Sequence, residues 1–161
     1  MSTQRRYRQD VGNPAQSIDD RQMTVWRTFF EMQEVLRGRL EAQLQADSGL
    51  SNADYTVLVA LSESPKDGLR AVDLGQRLCW EKSRLHHQLS RMTARGLVQR
   101  RNGPGRSVFA QITRAGRSAL QAAVPGHSRE VRRLFLDRLT SRQIGQLGEI
   151  SRKILDGLRE V

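Results

Sequence analysis

The chain has a single cysteine, Cys79, so no intramolecular disulfide can brace it and the fold must rest on packing. It has only three histidines, and nowhere do Cys, His and acidic residues gather at metal-ligand spacing, so neither a metal centre nor another cofactor is expected. No run approaches the roughly 20 apolar residues that a bilayer crossing needs, and the mean hydropathy is -0.60. Residues 1–20 lack the apolar centre of a secretory signal, so residence in the cytoplasm is expected. The most telling absence is local: from Lys82 to Arg117 there is no Asp or Glu.

That acid-free stretch is filled with cations: Lys82, Arg84, Arg91, Arg95, Arg100, Arg101, Arg106, Arg114 and Arg117. Over all 161 residues, 27 Lys and Arg against 17 Asp and Glu leave a formal charge of +10, which makes a polyanion the first partner to consider. An anionic membrane surface is the rival, but without an apolar segment a soluble protein with no membrane partner is expected. The length suits one compact domain, or one small domain with association helices.

Residues 1–20, rich in Arg, Gln, Ser and Asp around Gly12-Asn13-Pro14, read as a flexible basic tail. A single domain follows over 21–161. Apolar residues at Trp26, Phe29, Phe30, Leu36, Leu40 and Leu44 predict a long amphipathic helix that ends near Ser48-Gly49. Ser51 and Asp54, at capping-box spacing, open a second helix that Pro65 and Gly68 close. Beyond the extended Leu69-Arg70, the residues Ala71, Leu74 and Leu78 mark a helix of about two turns. Cys79-Trp80 forms a turn, and Leu85, Leu89 and Met92 define the buried seam of the next helix, which runs to Gly96.

The runs 97–101 and 107–112 flank Asn102-Gly103-Pro104-Gly105 as a hairpin. Thr113 caps a helix that Pro125-Gly126 is expected to bend or break before Val131, Leu134 and Phe135 resume the pattern. Thr140 and Gln143 form a capping box for a last helix carrying Ile144, Leu147, Ile150, Ile154 and Leu158. The expected fold class is mainly α with a small β-hairpin wing. A winged helix-turn-helix lobe over about 51–112 lies between dimerisation helices at about 21–47 and 113–161.

At about 100° per residue, the face opposite Leu85, Leu89 and Met92 displays Ser83, Arg84, His87, Ser90 and Arg91. Arg can fork onto guanine, and Ser and His can donate or accept, so Ser83, Arg84, His87 and Arg91 are the candidates for reading bases. Lys82, His86, Ser90, Arg100, Arg101 and Arg114 are assigned to the phosphate backbone, and Arg106 on the wing loop to a narrow minor groove. A charged run is more often a solvated face. Here the missing acids, the helix-turn-helix periodicity and the wing coincide. The apolar stripes of the first and last helices exceed what a small lobe can cover, which predicts a two-fold homodimer with reading helices one turn of B-DNA apart, roughly 34 Å. The alternative is that these helices fold back on their own domain.

From Trp26 to Leu158 these residues resemble the MarR family, the multiple-antibiotic-resistance regulators of bacteria and archaea. The likeness rests on Gly49-Leu50-Ser51 before Tyr55-Thr56-Val57-Leu58, on Leu69-Arg70-Ala71-Val72-Asp73-Leu74, and on Trp80-Glu81-Lys82-Ser83-Arg84-Leu85. It continues through Arg91-Met92, Arg95-Gly96-Leu97-Val98 and the hairpin exit Ile112-Thr113-Arg114-Ala115-Gly116-Arg117, similar to the family's Leu-Thr-x-x-Gly. The resemblance implies an obligate homodimer on pseudopalindromic operators, most often a repressor relieved by a small ligand or oxidant and associated with the bacterial nucleoid. It departs at the wing, where the family's Asp-x-Arg has its Arg at Arg106 but Pro104 in place of the acid.

A family-type ligand pocket would lie between the dimer helices and the DNA-binding lobe, with Trp26, Phe30 and His127 as its candidate residues, although aromatics at helical spacing are more often core. Cys79 stands just before the reading helix, where Lys82 and helix-start amides would favour thiolate and make it a candidate redox switch; burial as a small packing residue in the turn is the simpler expectation. Catalysis with Cys79 as nucleophile and His86 or His87 as base is disfavoured, because both histidines fall on the helix surface. Sequence-nonspecific packaging of nucleic acid is the alternative function, since it needs the charge but no base-reading face.

Overall fold

The computed structural model describes residues 17–64, 68–103 and 107–160. The expected tail up to residue 16, and the wing residues Pro104 and Arg106, lie outside the described residues. The chain divides into two units, one ending at Val35 and a larger one starting at Leu36.

Helix α1 spans Asp20–Ser48. It starts one residue before the expected Arg21, because Asp19 and Gln22 exchange backbone-to-side-chain hydrogen bonds of 3.1 and 2.7 Å at its first turn. In the smaller unit Trp26 packs on Phe30 with ring centroids 4.4 Å apart, and Phe29 meets Phe30 edge-on at 5.8 Å. All three rings remain exposed.

In the larger unit α2 (Asn52–Ser62), α3 (Ala71–Leu78) and α4 (Lys82–Ala94) pack with a small antiparallel sheet. Its strands are β1 (Leu69–Arg70), β2 (Val98–Asn102) and β3 (Val108–Ile112), in the order β1-β3-β2. Leu69 faces Ala110 across the β1-β3 pair, and Val98 faces Ile112 across β2-β3. Leu44, Leu58, Leu74, Leu89, Met92 and Val98 are among the fully buried side chains, so the predicted seam of α4 does face the core.

Local chemistry explains most boundaries. Ser51 and Asp54 form the expected capping box, with Asp54 N donating to Ser51 Oγ at 3.0 Å and Ser51 N to Asp54 Oδ2 at 2.9 Å. Gly96 adopts φ 70 beyond the end of α4, where its N–H bonds Thr93 O and that of Leu97 bonds Met92 O, both at 2.9 Å; this Schellman turn favours glycine. Helix α5 (Arg114–Leu134) is capped by Thr113, whose hydroxyl accepts from Gly116 N at 2.9 Å. A Cβ on Gly116 would stand 2.0 Å from the Leu97 carbonyl oxygen, so only glycine lets α5 start against the end of α4.

Of the expected bend or break at Pro125, the break does not occur: α5 continues through it to Leu134. Proline removes one N–H and crowds the preceding turn, but Pro125 and Gln121 both lie on the exposed side of α5, where the loss of one helix bond is least costly. A 3-10 turn (Leu136–Arg138) leads to α6 (Ser141–Arg159), opened by the Thr140–Gln143 capping box. No residue of α6 is buried.

Asp54 does more than cap α2. Only 2% exposed, its carboxylate also accepts from Arg95 Nη1 at 2.5 Å and from Gln88 Nε2 at 2.7 Å, while Arg95 Nη2 donates to Gly49 O at 2.8 Å. One buried acid thus fastens the start of α2 to the middle and end of α4. Removing it strands the buried Gln88 amide and the Ser51 N–H, each costing about 1 to 3 kcal/mol. Asp54→Ala should therefore lower unfolding free energy by about 2 to 4 kcal/mol in urea titrations. Arg95→Ala should also destabilise, because it leaves the buried Asp54 carboxylate without its cation; an unchanged urea midpoint in either variant would contradict this assignment.

Candidate nucleic-acid interface

Helix α4 presents Lys82, Ser83, Arg84, His86, His87 and Arg91 to solvent, with Ser90 half-buried. The predicted face is therefore assembled on one element, backed by Leu85, Leu89 and Met92. Glu81 precedes the helix without a side-chain cap, and no acid follows in its first turn, so Lys82 adds its charge to the positive end of the helix dipole. The Arg84 guanidinium lies 4.3 Å from the Trp80 ring centroid, a cation–π contact that restrains a long side chain. Arg91 Nη2 donates to Gln88 Oε1 at 2.5 Å.

The two wing arginines part company. Strand alternation puts Arg100 on the same face as buried Val98, and its guanidinium folds onto α4. Nη1 donates to Ser90 Oγ and Nη2 to His86 O, each at 3.3 Å, with His86 Nδ1 also 3.3 Å from Nη2. Its Nε is buried without a hydrogen-bond partner among the described residues. Arg101 points the other way, exposed, with its guanidinium 6.0 Å from the Phe109 ring centroid. Arg114 is exposed at the first turn of α5. The period-two signal that separates Arg100 from Arg101 was available in the strand pattern.

Between α3, α4 and the sheet lies a cavity of about 620 Å³, lined by Val72, Gly75, Trp80, Leu85, His86 and Arg100 among others. Cys79 also lines it. The expectation of a buried cysteine is corrected: Cys79 is exposed and occupies a left-handed conformation, φ 52, with Sγ 3.8 Å from Gln76 O. The turn selects that backbone shape, since Trp80 N must reach back to Gly75 O. The cavity does not announce itself in local sequence spacing, and neither does the Asp54 partner of the inward Gln88.

His127 sits elsewhere in the larger unit. Its ring lies 4.4 Å from that of Tyr55, and its Nδ1 is 3.4 Å from Gln43 Oε1. It lines a second cavity, about 360 Å³, with Tyr55, Thr56, Val59, Glu63 and Arg77; Arg77 and Glu63 form an ion pair there. Trp26 and Phe30, the other expected pocket residues, belong to the exposed ring cluster of the smaller unit and are not among the residues lining this cavity.

A two-helix unit with an exposed cationic second helix and an adjoining hairpin defines a winged helix-turn-helix protein. No family model matches the chain. The transcriptional regulator HosA of Escherichia coli O111:H- is 33% identical over 110 residues, spanning 66% of this chain and 78% of that protein. AbsC, a MarR family transcriptional regulator from Streptomyces coelicolor, is 36% identical with a TM-score of 0.84, over 90% of this chain and 99% of that one. Sco3205 from the same organism, a MarR family regulator solved in complex with DNA, is 37% identical with a TM-score of 0.84, over 88% and 94%. The chain belongs to the MarR family of transcriptional regulators.

Burial lowers the His127 pKa below its ordinary 6.5. The unfolded chain therefore takes up this proton first as pH falls, so the stability contributed by neutral His127 is complete above about 6.5 and declines as acidification proceeds towards the lowered folded value. Urea midpoints measured at pH 7.5 and 5.5 should fall more for the natural chain than for His127→Phe, which keeps the ring contact with Tyr55 but cannot titrate. Equal declines would contradict this.

Proposed function

We propose that the chain acts as a cytoplasmic homodimer that binds a pseudopalindromic operator in double-stranded DNA and represses transcription until a small molecule releases it. The observation that carries this reading is the acid-free face of α4, held outward by a buried apolar seam and furnished with side chains able to address base edges. Ser83, Arg84, His87 and Arg91 are assigned to bases in the major groove. Lys82, Arg101 and Arg114 are assigned to phosphates, joined by Arg106 from the wing. Arg100 acts with His86 and Ser90 as a brace between wing and helix. The DNA complex of Sco3205 supports the same use of this fold.

The lobe over residues 51–112 serves as the reader, and α1, α5 and α6 as the dimerisation elements. Trp26 on α1 is 56% exposed and Leu158 on α6 is 71% exposed. Apolar faces of this kind call for a partner, and a second copy supplies one by symmetry. Sedimentation at micromolar concentration should give twice the chain mass; a monomer at that concentration would overturn the dimer. A catalytic role has little to recommend it, because His86 and His87 both lie on the exposed surface of α4, with no third group set to orient either as a base toward Cys79 among the described residues. Release requires a ligand that binds one arrangement of α4 better than another, and the two cavities, beneath the wing and beside His127, are the places assigned to it.

Binding to a duplex selected from genomic fragments should exceed binding to a random duplex, whereas a packaging protein would bind both alike. Arg84→Ala should cost about 1 to 3 kcal/mol on the selected duplex and relax base preference, while Lys82→Ala should weaken both duplexes equally. With about 6 to 10 phosphate contacts per dimer, affinity should drop by on the order of 10³ to 10⁵ between 50 and 200 mM salt. Salt-independent binding would contradict the reading.

A further inference from the structure

Arg91 lies on a face with no acid to orient it, yet its head group is held. The acceptor is Gln88 Oε1, 2.5 Å from Arg91 Nη2. Gln88 is 2% exposed, and its Nε2 donates to Asp54 Oδ1 at 2.7 Å. This bond fixes the direction of the amide. A reversed amide would press a carbonyl oxygen against a buried carboxylate, so Nε2 must point inward and Oε1 outward. Asp54 cannot turn to accommodate the reversal, because Oδ2 is held by Ser51 N at 2.9 Å and Arg95 Nη1 at 2.5 Å.

We infer that Gln88 is a specificity-setting positioning residue: its amide, polarised by buried Asp54, aims the Arg91 guanidinium at the base edge without placing any negative charge on the DNA-facing surface. One donor of the guanidinium is spent on Gln88, and the remaining N–H groups stay available to fork onto a guanine. Ordering the head before binding reduces the rotamer freedom lost on the duplex. A glutamate on the surface would orient Arg91 as well but would repel phosphate; the relay through a neutral amide avoids that conflict. The inference rests on the DNA-reading function proposed above.

A double-mutant cycle on the full chain tests it, reading the ratio of affinity for the selected duplex to affinity for a random one. Arg91→Ala should lower that ratio about 10-fold. Gln88→Met, of similar shape and still apolar enough for burial, should lower it about 3-fold or more in the natural background, and by less than about 2-fold once Arg91 is alanine. A purely structural role predicts the same loss in both backgrounds, and that result would overturn the inference. So would an unchanged ratio in Arg91→Ala. If the natural chain itself fails to prefer the selected duplex, the DNA-reading function fails instead, which distinguishes the two. Should Gln88→Met not fold, ¹⁵N relaxation of the Arg91 Nε–H in the natural, DNA-free chain decides. An order parameter near the rigid-backbone value of about 0.85 is expected, and one under about 0.6 would overturn the inference.

Discussion

Helix α4 of this protein is only as well placed as the buried Asp54 carboxylate that holds it. A charge taken out of water is costly unless fully paired, and Asp54 meets that demand with donors from its own helix cap, from Gln88 and from Arg95. Those donors come from different stretches of chain, so satisfying one carboxylate fixes the angle between α2 and α4. The apolar seam of α4 supplies most of the packing drive, but it is nondirectional and would tolerate small rotations. The hydrogen bonds add the register.

From that constraint follows a division of labour. Acids occur at the helix start of α2 and elsewhere, but the surface that faces outward from α4 and the wing carries none. Its cations are held by means that add no negative charge: Trp80 under Arg84, the Gln88 amide under Arg91, and His86 with Ser90 around Arg100. Such a surface keeps its full attraction for phosphate while its long side chains remain ordered. The close approach of Gly116 to the Leu97 carbonyl, and the Thr113 hydroxyl that donates to Gly96 O at 2.6 Å, then tie the start of α5 to the end of α4.

Much of this was legible in residue spacing, because the deciding interactions are local. Ser51 with Asp54 and Thr140 with Gln143 lie within one turn, and Leu85, Leu89 and Met92 repeat at helical period. The same locality explains the failures. Gln88 falls on the buried side of α4 by its spacing from Leu85 and Met92, but nothing nearby in sequence signals its partner, 34 residues away. The continuity of α5 through Pro125 depends on which side of the helix meets water, and the left-handed Cys79 on the reach of Trp80 N to Gly75 O. The cavity beneath the wing is a property of three elements at once. Trp26 and Phe30 obey helical spacing and are nonetheless exposed.

Hydroxyl-radical footprinting on a duplex selected by the full-length protein is the most direct test of a dimer that reads DNA through paired α4 helices. Two protected patches on one face of the duplex, about 10 base pairs apart centre to centre, are the expected result. A single unbroken tract that lengthens with protein concentration, or no protection at all, would contradict the account.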